Sequence, residues 1–584
     1  MEKYTDRYHP DYIPGTYSIY ASSLSNTDNK DVERLKTRNG VILLPQPTDS
    51  PNDPLNWHYW RKAWHFLLVT FITAFSAAIS NDAGAAQDSL NEIYGISYDA
   101  MNTGAGVLFL AIGYGTWLMA PFSSLYGRKL TYIICCLSGL AGCCWFASSK
   151  TTADTIWSQL FVGASESVAE AQVQLSLSDL FFRHQLGSVM TVYILATSIG
   201  TYLGPLIAGF ISSNQNFRWV GWWGAIISGI LFVFILFGYE DTMFDYKRFA
   251  PTLDGESAHA YYSNQIDEAL SNALADEQQG EKGRAVVKIP SEKLKNQPIV
   301  RRRALEMLDS NPPTRVYPDN NGADDKQWSY WRRIQIITKG PNLRGWGIKQ
   351  YFQLLWMNCR VFFFPPVILS GLMWGSQDAF LSFYLTTEDT EFYDAPWNYS
   401  DAAVAIMNVP CLIGAVIGCL YAGSALDYFV LWMARRNGGV VEAEFRLYFA
   451  FLSGIICPAG LLMFGIGTAR QLDWRVIYVG LGFVGFGWGC SGDIAMSYLM
   501  DSYPEMVLEG MVGVAVINNT ISCIFTFTCS DWLNTSGTEK TYIALAILNF
   551  TVMFLALPFI VWGRRMRAFT KKYYVSFIEM RDGI

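Results

Sequence analysis

SQLFVGASESVAEAQVQLSLSD, running from Ser158 to Asp179, is apolar enough to enter a membrane and yet carries Glu166 and Glu170. On a helix their four-residue spacing stacks the two carboxylates on one stripe with Gln174 a turn further on. Phe161, Ala164, Val168, Ala171 and Leu175 line the opposite face. Two like charges one turn apart repel, and a carboxylate at the bilayer centre costs about 2.5–3.5 kcal/mol even on the lenient insertion scale. The pair therefore predicts a compensating proton, cation or internal water cavity, within a membrane domain.

Composition extends that reading to the whole chain. Of 584 residues, 51% are hydrophobic and 16% charged, against about 25% charged in a soluble domain. Apolar segments run from about Trp64 to Asp82, then at roughly 104–126, 130–149, 155–180, 187–212 and 219–239. After a polar stretch they resume at roughly 361–385, 402–424, 447–468, 476–500, 508–531 and 541–562. Each is long enough to cross a bilayer, so the expected fold is all-α, with spans one to six, a linker, and spans seven to twelve. The expected division is an N-terminal tail at 1–60, a bundle at 61–242, a central loop at 243–357, a bundle at 358–563 and a tail at 564–584. The loop is too polar to bury a core, and WGIKQYFQLLW within it predicts a short amphipathic helix. The first sixty residues contain no charged-then-apolar leader, which leaves targeting to the first span.

The same composition narrows the function. The net charge of -7 and the lack of a basic patch with interleaved aromatics argue against nucleic acid as a partner. The 11 Cys lie in or beside apolar segments without metal-ligand spacing and read as small hydrophobes, so no metal is expected. No Ser/His/Asp or phosphate-loop arrangement points to an enzyme, and no cofactor is expected. Basic residues cluster before span one (Arg61, Lys62) and after spans two (Arg128, Lys129), four (Arg183), eight (Arg435, Arg436) and twelve (Arg564, Arg565, Arg567). Both termini should therefore face the cytoplasm. The opposite loops carry glycosylation sequons at Asn398 and Asn534, while a third, at Asn518, falls inside a span.

The loop APFSSLYGRKLTY, after span two, resembles the Gly-x-Leu-x-Asp-x-x-Gly-Arg-Lys signature of the major facilitator superfamily. It keeps Gly127, Arg128 and Lys129 and has Ser124 where the acid belongs. Span five, GTYLGPLIAG, is similar to the antiporter signature of that family's drug:proton branch, with Gly200, Gly204, Pro205 and Gly209 where helices approach closely. Gln159 stands where that branch has an arginine. SNDAGAAQDSLNEIYGISYDAMNTGAGVLFL, MNVPCLIGAVIGC, DYFVLWMARRNGG and GLGFVGFGWGCSGDIAM resemble the fungal polyamine permeases of the superfamily. The resemblance implies two pseudo-symmetric six-helix bundles and a plasma-membrane carrier, expected as a monomer. It further implies import of polyamines, with histidinol and other cations as lesser substrates. By the same resemblance spans one, four, seven and ten line the path.

The intramembrane acids fall on those four spans: Asp82, Glu166, Glu170, Asp378 and Asp493. No Lys or Arg lies in the interior of a span to pair with them, so the cavity should be net negative. Glu166, Glu170, Asp378 and Asp493 are expected to bind ammonium groups. Trp374, Tyr384, Trp488 and Tyr498 offer aromatic faces to the same cation, and Gln174, Gln377, Asn408 and Asn81 offer hydrogen bonds. Asp82 resembles the essential aspartate of a bacterial multidrug facilitator in the superfamily and is the expected proton-coupling group. Asp427, beside Arg435 and Arg436, occupies the gating position of the second half together with Gly127, Arg128 and Lys129 of the first. The competing readings are a multidrug:proton antiporter, which would carry the span-four arginine, and a nutrient sensor, which would carry a long folded extension.

Overall fold

The computed structural model describes residues 11–18, 37–38, 41–43, 45, 47–245, 325–393 and 395–583. The expected loop between 246 and 324 lies outside the described residues, as do parts of the N-terminal tail. Among the described residues, one compact unit contains those of 57–243 and 328–583 together with those of the N-terminal segment; a second contains Thr48–Asn56, 244–245 and 325–327. In the second unit, Asp53 organises a short turn by accepting from the Thr48 backbone and hydroxyl, both at 2.9 Å, and Ser50 donates to Asp325 at 3.0 Å.

In the first unit, spans one to six are Tyr59–Asn81, Tyr98–Tyr126, Arg128–Ala147, Thr152–Leu180, Arg183–Gln215 and Arg218–Gly238. Spans seven, nine, ten, eleven and twelve are Pro365–Glu391, Ala450–Ala469, Trp474–Ser502, Val507–Ser536 and Thr538–Phe554. Span eight runs in pieces, Asp401–Ile406, Asn408–Leu420 and Leu426–Arg436, around a π-helical turn at Tyr421–Ala425. That turn faces span five: a Cβ on Gly423 would lie 2.1 Å from the Thr191 hydroxyl. Local sequence sets the ends. Ser97 caps span two, Thr151 and Asp154 form a capping box on span four, and Asp473 accepts from the Arg475 amide. Gly127 (φ 90) turns span two into span three, a conformation open to glycine at little cost.

Among the described residues, spans four and ten are not among the helices apolar enough to qualify as membrane-crossing by length and composition alone. Their polar residues are the reason: most of both helices is buried, with exposed apolar side chains only toward one end, at Trp157 and Phe161 of span four and at Trp474, Val479 and Phe483 of span ten. Span six exposes Ile230, Val233, Phe234 and Phe237, and span twelve exposes Ile547 and Phe550. The glycines of span five sit at close helix approaches. A Cβ on Gly200 would lie 2.0 Å from the Ala74 carbonyl of span one and one on Gly204 2.7 Å from Ala78, whereas Gly209 packs across the halves on Ala405 of span eight.

Described parts of both terminal segments pack against the helical unit. The C-terminal segment from 564 lies within a helix, Ala556–Gly583. Its Arg567, Thr570, Tyr574, Phe577 and Ile578 are buried along one stripe, a period that the segment's overall polarity conceals. At the other end of the chain, Thr16–Ser18 pairs antiparallel with Val440–Glu442. Arg567 ties these pieces together by binding the Glu444 carboxylate, the Pro14 carbonyl and the Thr16 hydroxyl. Both ends of the described chain thus meet at one face, the termini face. The helix Ile348–Asn358, inside WGIKQYFQLLW, lies at 85° to span seven with Ile348, Phe352 and Trp356 exposed.

Candidate substrate site

Three of the sequence-predicted carboxylates, Glu166, Glu170 and Asp378, lie within electrostatic reach of one another. Glu166 faces Ser80 of span one, and Asp378 of span seven lies within electrostatic reach of both Glu166 and Glu170. Two acids of the first half are thus electrostatically coupled to one of the second. No ion pair reaches any of the three among the described residues. One Glu170 oxygen, Oε2, is buried with no hydrogen-bond partner there.

Aromatic rings enclose Asp378. Trp488 of span ten donates its indole N–H to Asp378 Oδ1 at 2.9 Å. Its ring centroid is 4.6 Å from that of Trp374 and 6.0 Å from that of Tyr202. Trp374 fits because Gly492 faces it, where a Cβ would fall 1.9 Å from the ring. Trp374 Nε1 and the Tyr202 hydroxyl are buried without partners among the described residues. Sequence reading passed over Tyr202; the available signal was a lone aromatic hydroxyl set between the packing glycines of span five. Carboxylates beside indole and phenol faces suit an organic cation, whose charge meets the acids and whose apolar stem meets the rings.

Other candidates lie elsewhere. Gln174 donates to the Tyr193 hydroxyl at 2.9 Å, and Tyr193 in turn donates to the Ala169 carbonyl. Asp493 is set apart from the central acids: it accepts from Thr191 of span five at 2.9 Å and lies within electrostatic reach of Arg446 and Asp427. Gln377 turns into the second bundle toward Asn549 (3.2 Å), and Tyr498 lies near Glu444 and Arg567 of the termini face. Asn408 donates to Glu388 and accepts from Tyr384, both at 3.2 Å. Asp82 follows the last residue of span one and lies within electrostatic reach of Cys143 of span three.

At the termini face the two halves repeat one arrangement. Arg128, opening span three, pairs with Asp179, closing span four, at 3.1 Å. Its amide also donates to Asp241, whose carboxylate occupies the space beside Gly127. Lys129 is buried and donates to the Leu236 and Ile334 carbonyls. In the second half Arg446 pairs with Asp501, closing span ten, and with Asp427 at 3.1 Å. Arg435 and Arg436, adjacent to Asp427 in sequence, are exposed instead, and Arg436 stacks over Trp432 at 4.0 Å. The turn at Gly438 and Gly439 and the strand Val440–Glu442 bring Arg446 back to the span end. Arg446 was missed in the sequence because this loop is longer than its counterpart, and Arg446, Leu447 and Tyr448 share only their order with Arg128, Leu130 and Tyr132 of the first half.

Asp427 also reaches the first half, its carboxylate standing where a Cβ on Gly187 of span five would be, within 2.5 Å. At the opposite face Asn398 and Asn534 are exposed and Asn518 is buried. A cavity of about 110 Å³ opens there between the halves, lined by Asn81, Gln159, Glu388, Asp389 and Asp401 among others.

The profile of the Major Facilitator Superfamily matches residues 66–528. The chain is 60% identical over 600 residues to Protein HOL1 of Saccharomyces cerevisiae, covering 100% of both chains. It is 48% identical to an uncharacterized MFS-type transporter of Schizosaccharomyces pombe, covering 98% of this chain and 95% of that one. Among solved structures it is similar in fold to the proton:xylose symporter XylE, with a TM-score of 0.53, 11% identity and coverage of 86% and 97%.

Proposed function

The chain belongs to the Major Facilitator Superfamily and is a multi-pass membrane transporter, and we propose that its substrates are polyamines such as spermidine, putrescine and spermine. The observation that carries this is the meeting of Glu166 and Glu170 with Asp378 across the two halves, beside Trp374, Trp488 and Tyr202. A linear amine supplies cations for the acids and methylenes for the rings. A neutral sugar would leave the carboxylates uncompensated, and an anion would be repelled.

The transporter works in the plasma membrane by alternating access, with the termini face cytoplasmic, where basic residues concentrate. Paired helix ends at Arg128–Asp179 and Arg446–Asp501, with Asp493–Thr191 bridging the halves, hold that face closed. Opening it separates Asp493 from Thr191 and delivers substrate inward. Import follows from charge: each positive charge entering a negative cell gains roughly 2.3 kcal/mol per 100 mV. Asp82 couples protons to the cycle. Export of organic cations is the second reading, favoured by the tight packing of Gly200 and Gly204 on span one. A cell lacking this protein separates them: resistance to toxic polyamine analogues supports import, and hypersensitivity supports export.

A further inference from the structure

Glu388 and Asp389 lie in the last turn of span seven at the face opposite the termini, ten and eleven residues beyond Asp378, and at about 1.5 Å per residue they lie roughly 15 Å farther along its axis. Together with Asp401 of span eight they line the cavity of about 110 Å³, and no Lys or Arg lines it among the described residues. The acids alone would be an ordinary polar rim. Two further side chains distinguish the place. Glu388 is 4% exposed: its Oε1 accepts from Asn408 at 3.2 Å, while its Oε2 is buried with no partner among the described residues. Gln159 of span four is 6% exposed and lines the same cavity from the first half, its Oε1 likewise buried and without a partner. Two buried acceptors from opposite halves therefore lack a donor in a cavity of net negative charge. A buried acceptor without a donor is costly, and an ammonium group, with donors only, satisfies it.

We infer that this cavity is a second cation site, which takes one ammonium of a linear di- or polyamine through Glu388, Asp389 and the Gln159 carbonyl. It rests on the polyamine reading of the central site and extends it. The acids of span seven form two stations: the outer one selects for substrates carrying more than one ammonium, and the inner one, at Asp378 with Glu166 and Glu170, holds any organic cation. A monoamine satisfied at the inner station gains nothing from the outer one. Asn408 and Tyr384 act as positioning residues, since Tyr384 donates to Asn408 and Asn408 holds Glu388.

The test is equilibrium binding to the purified full chain in nanodiscs, with spermidine and butylamine as probes. Glu388→Gln, which keeps the acceptor that Asn408 needs, should weaken spermidine by roughly five- to fifty-fold and leave butylamine within about twofold. Asp389→Asn, which leaves the Asn408 contact untouched, carries the same expectation and stands in if the first variant does not fold. Glu170→Gln should weaken both amines. Unchanged spermidine binding in both outer variants overturns the second site while leaving the central one intact, and so does an equal loss of butylamine, which would mark a structural role. Wild-type protein that binds neither amine overturns the polyamine reading and this inference together.

Discussion

Trp488 of span ten donates its indole N–H to the Asp378 carboxylate of span seven at 2.9 Å, while its ring packs 4.6 Å from Trp374. One side chain thus orients the acid and forms the aromatic wall beside it. Trp488→Phe keeps most of the wall and removes the donor. A hydrogen bond to a charged group contributes about 1.5–3 kcal/mol, so KM for spermidine should rise by roughly ten- to a hundred-fold at unchanged surface level. Concentration-dependent uptake in cells, with surface biotinylation, measures both quantities. An unchanged KM would remove Trp488 from the site.

Neutralising the span-four acids tests the same wall from the other half. Glu166→Gln and Glu170→Gln should each lower polyamine affinity by several-fold to a hundred-fold, about 1–3 kcal/mol, without loss of folded protein. Binding is best read on detergent-purified chain whose elution matches wild type. If both single variants bind as wild type does, the cation sits elsewhere.

The termini-face pairs predict a different phenotype. Arg446 bridges Asp427 and Asp501, and a lysine cannot hold two carboxylates with its planar fork. Arg446→Lys should therefore reduce the maximal uptake rate while leaving equilibrium affinity near wild type, because it disturbs closure and not the site. The same split is expected for Arg128→Lys, whose partner is Asp179. A change confined to KM would contradict the gating role.

Arg567 is buried at 0% side-chain exposure against Glu444 at 4% and also holds the N-terminal strand through Thr16. Removing one partner of a buried ion pair typically costs about 3–5 kcal/mol. Arg567→Ala should lower the thermal unfolding temperature and the surface level, and Glu444→Gln should do so as well. Thermal scanning of the purified variants gives the answer; a stability equal to wild type would mean that this face is held by other contacts.

Asp82, proposed to couple protons, begins the turn after span one and makes no ion pair among the described residues. Asp82→Asn should flatten the pH dependence of uptake and retain spermidine binding at fixed pH. A pH profile that keeps its wild-type shape transfers the role to another acid.

What the sequence made legible were features written in period and composition. Most apolar segments fall on the helices, although span eight continues to Arg436 and the segment read as 541–562 is broken at Leu555, and the spacing of Glu166 and Glu170 matches the helical turn. The three-acid convergence could be anticipated only as a set, since which carboxylates face each other depends on helix rotation. Asp493 shows the limit: like Asp378 it is a lone acid in mid-span, yet its carboxylate accepts from Thr191 of span five. Tyr202 and Arg446 were hidden for related reasons. The first lies within a packing motif, and the second is brought to Asp427 by a loop whose turn glycines carry no charge signal.

The most direct measurement is uptake of radiolabelled spermidine into proteoliposomes holding the purified chain, with an imposed inside-negative potential and with or without a protonophore. Wild-type protein should accumulate spermidine under the potential, and the double variant Glu170→Gln, Asp378→Asn should not, although it reconstitutes equally. Wild-type vesicles that take up no more spermidine than empty ones, or a double variant that transports like wild type, would contradict the central claim.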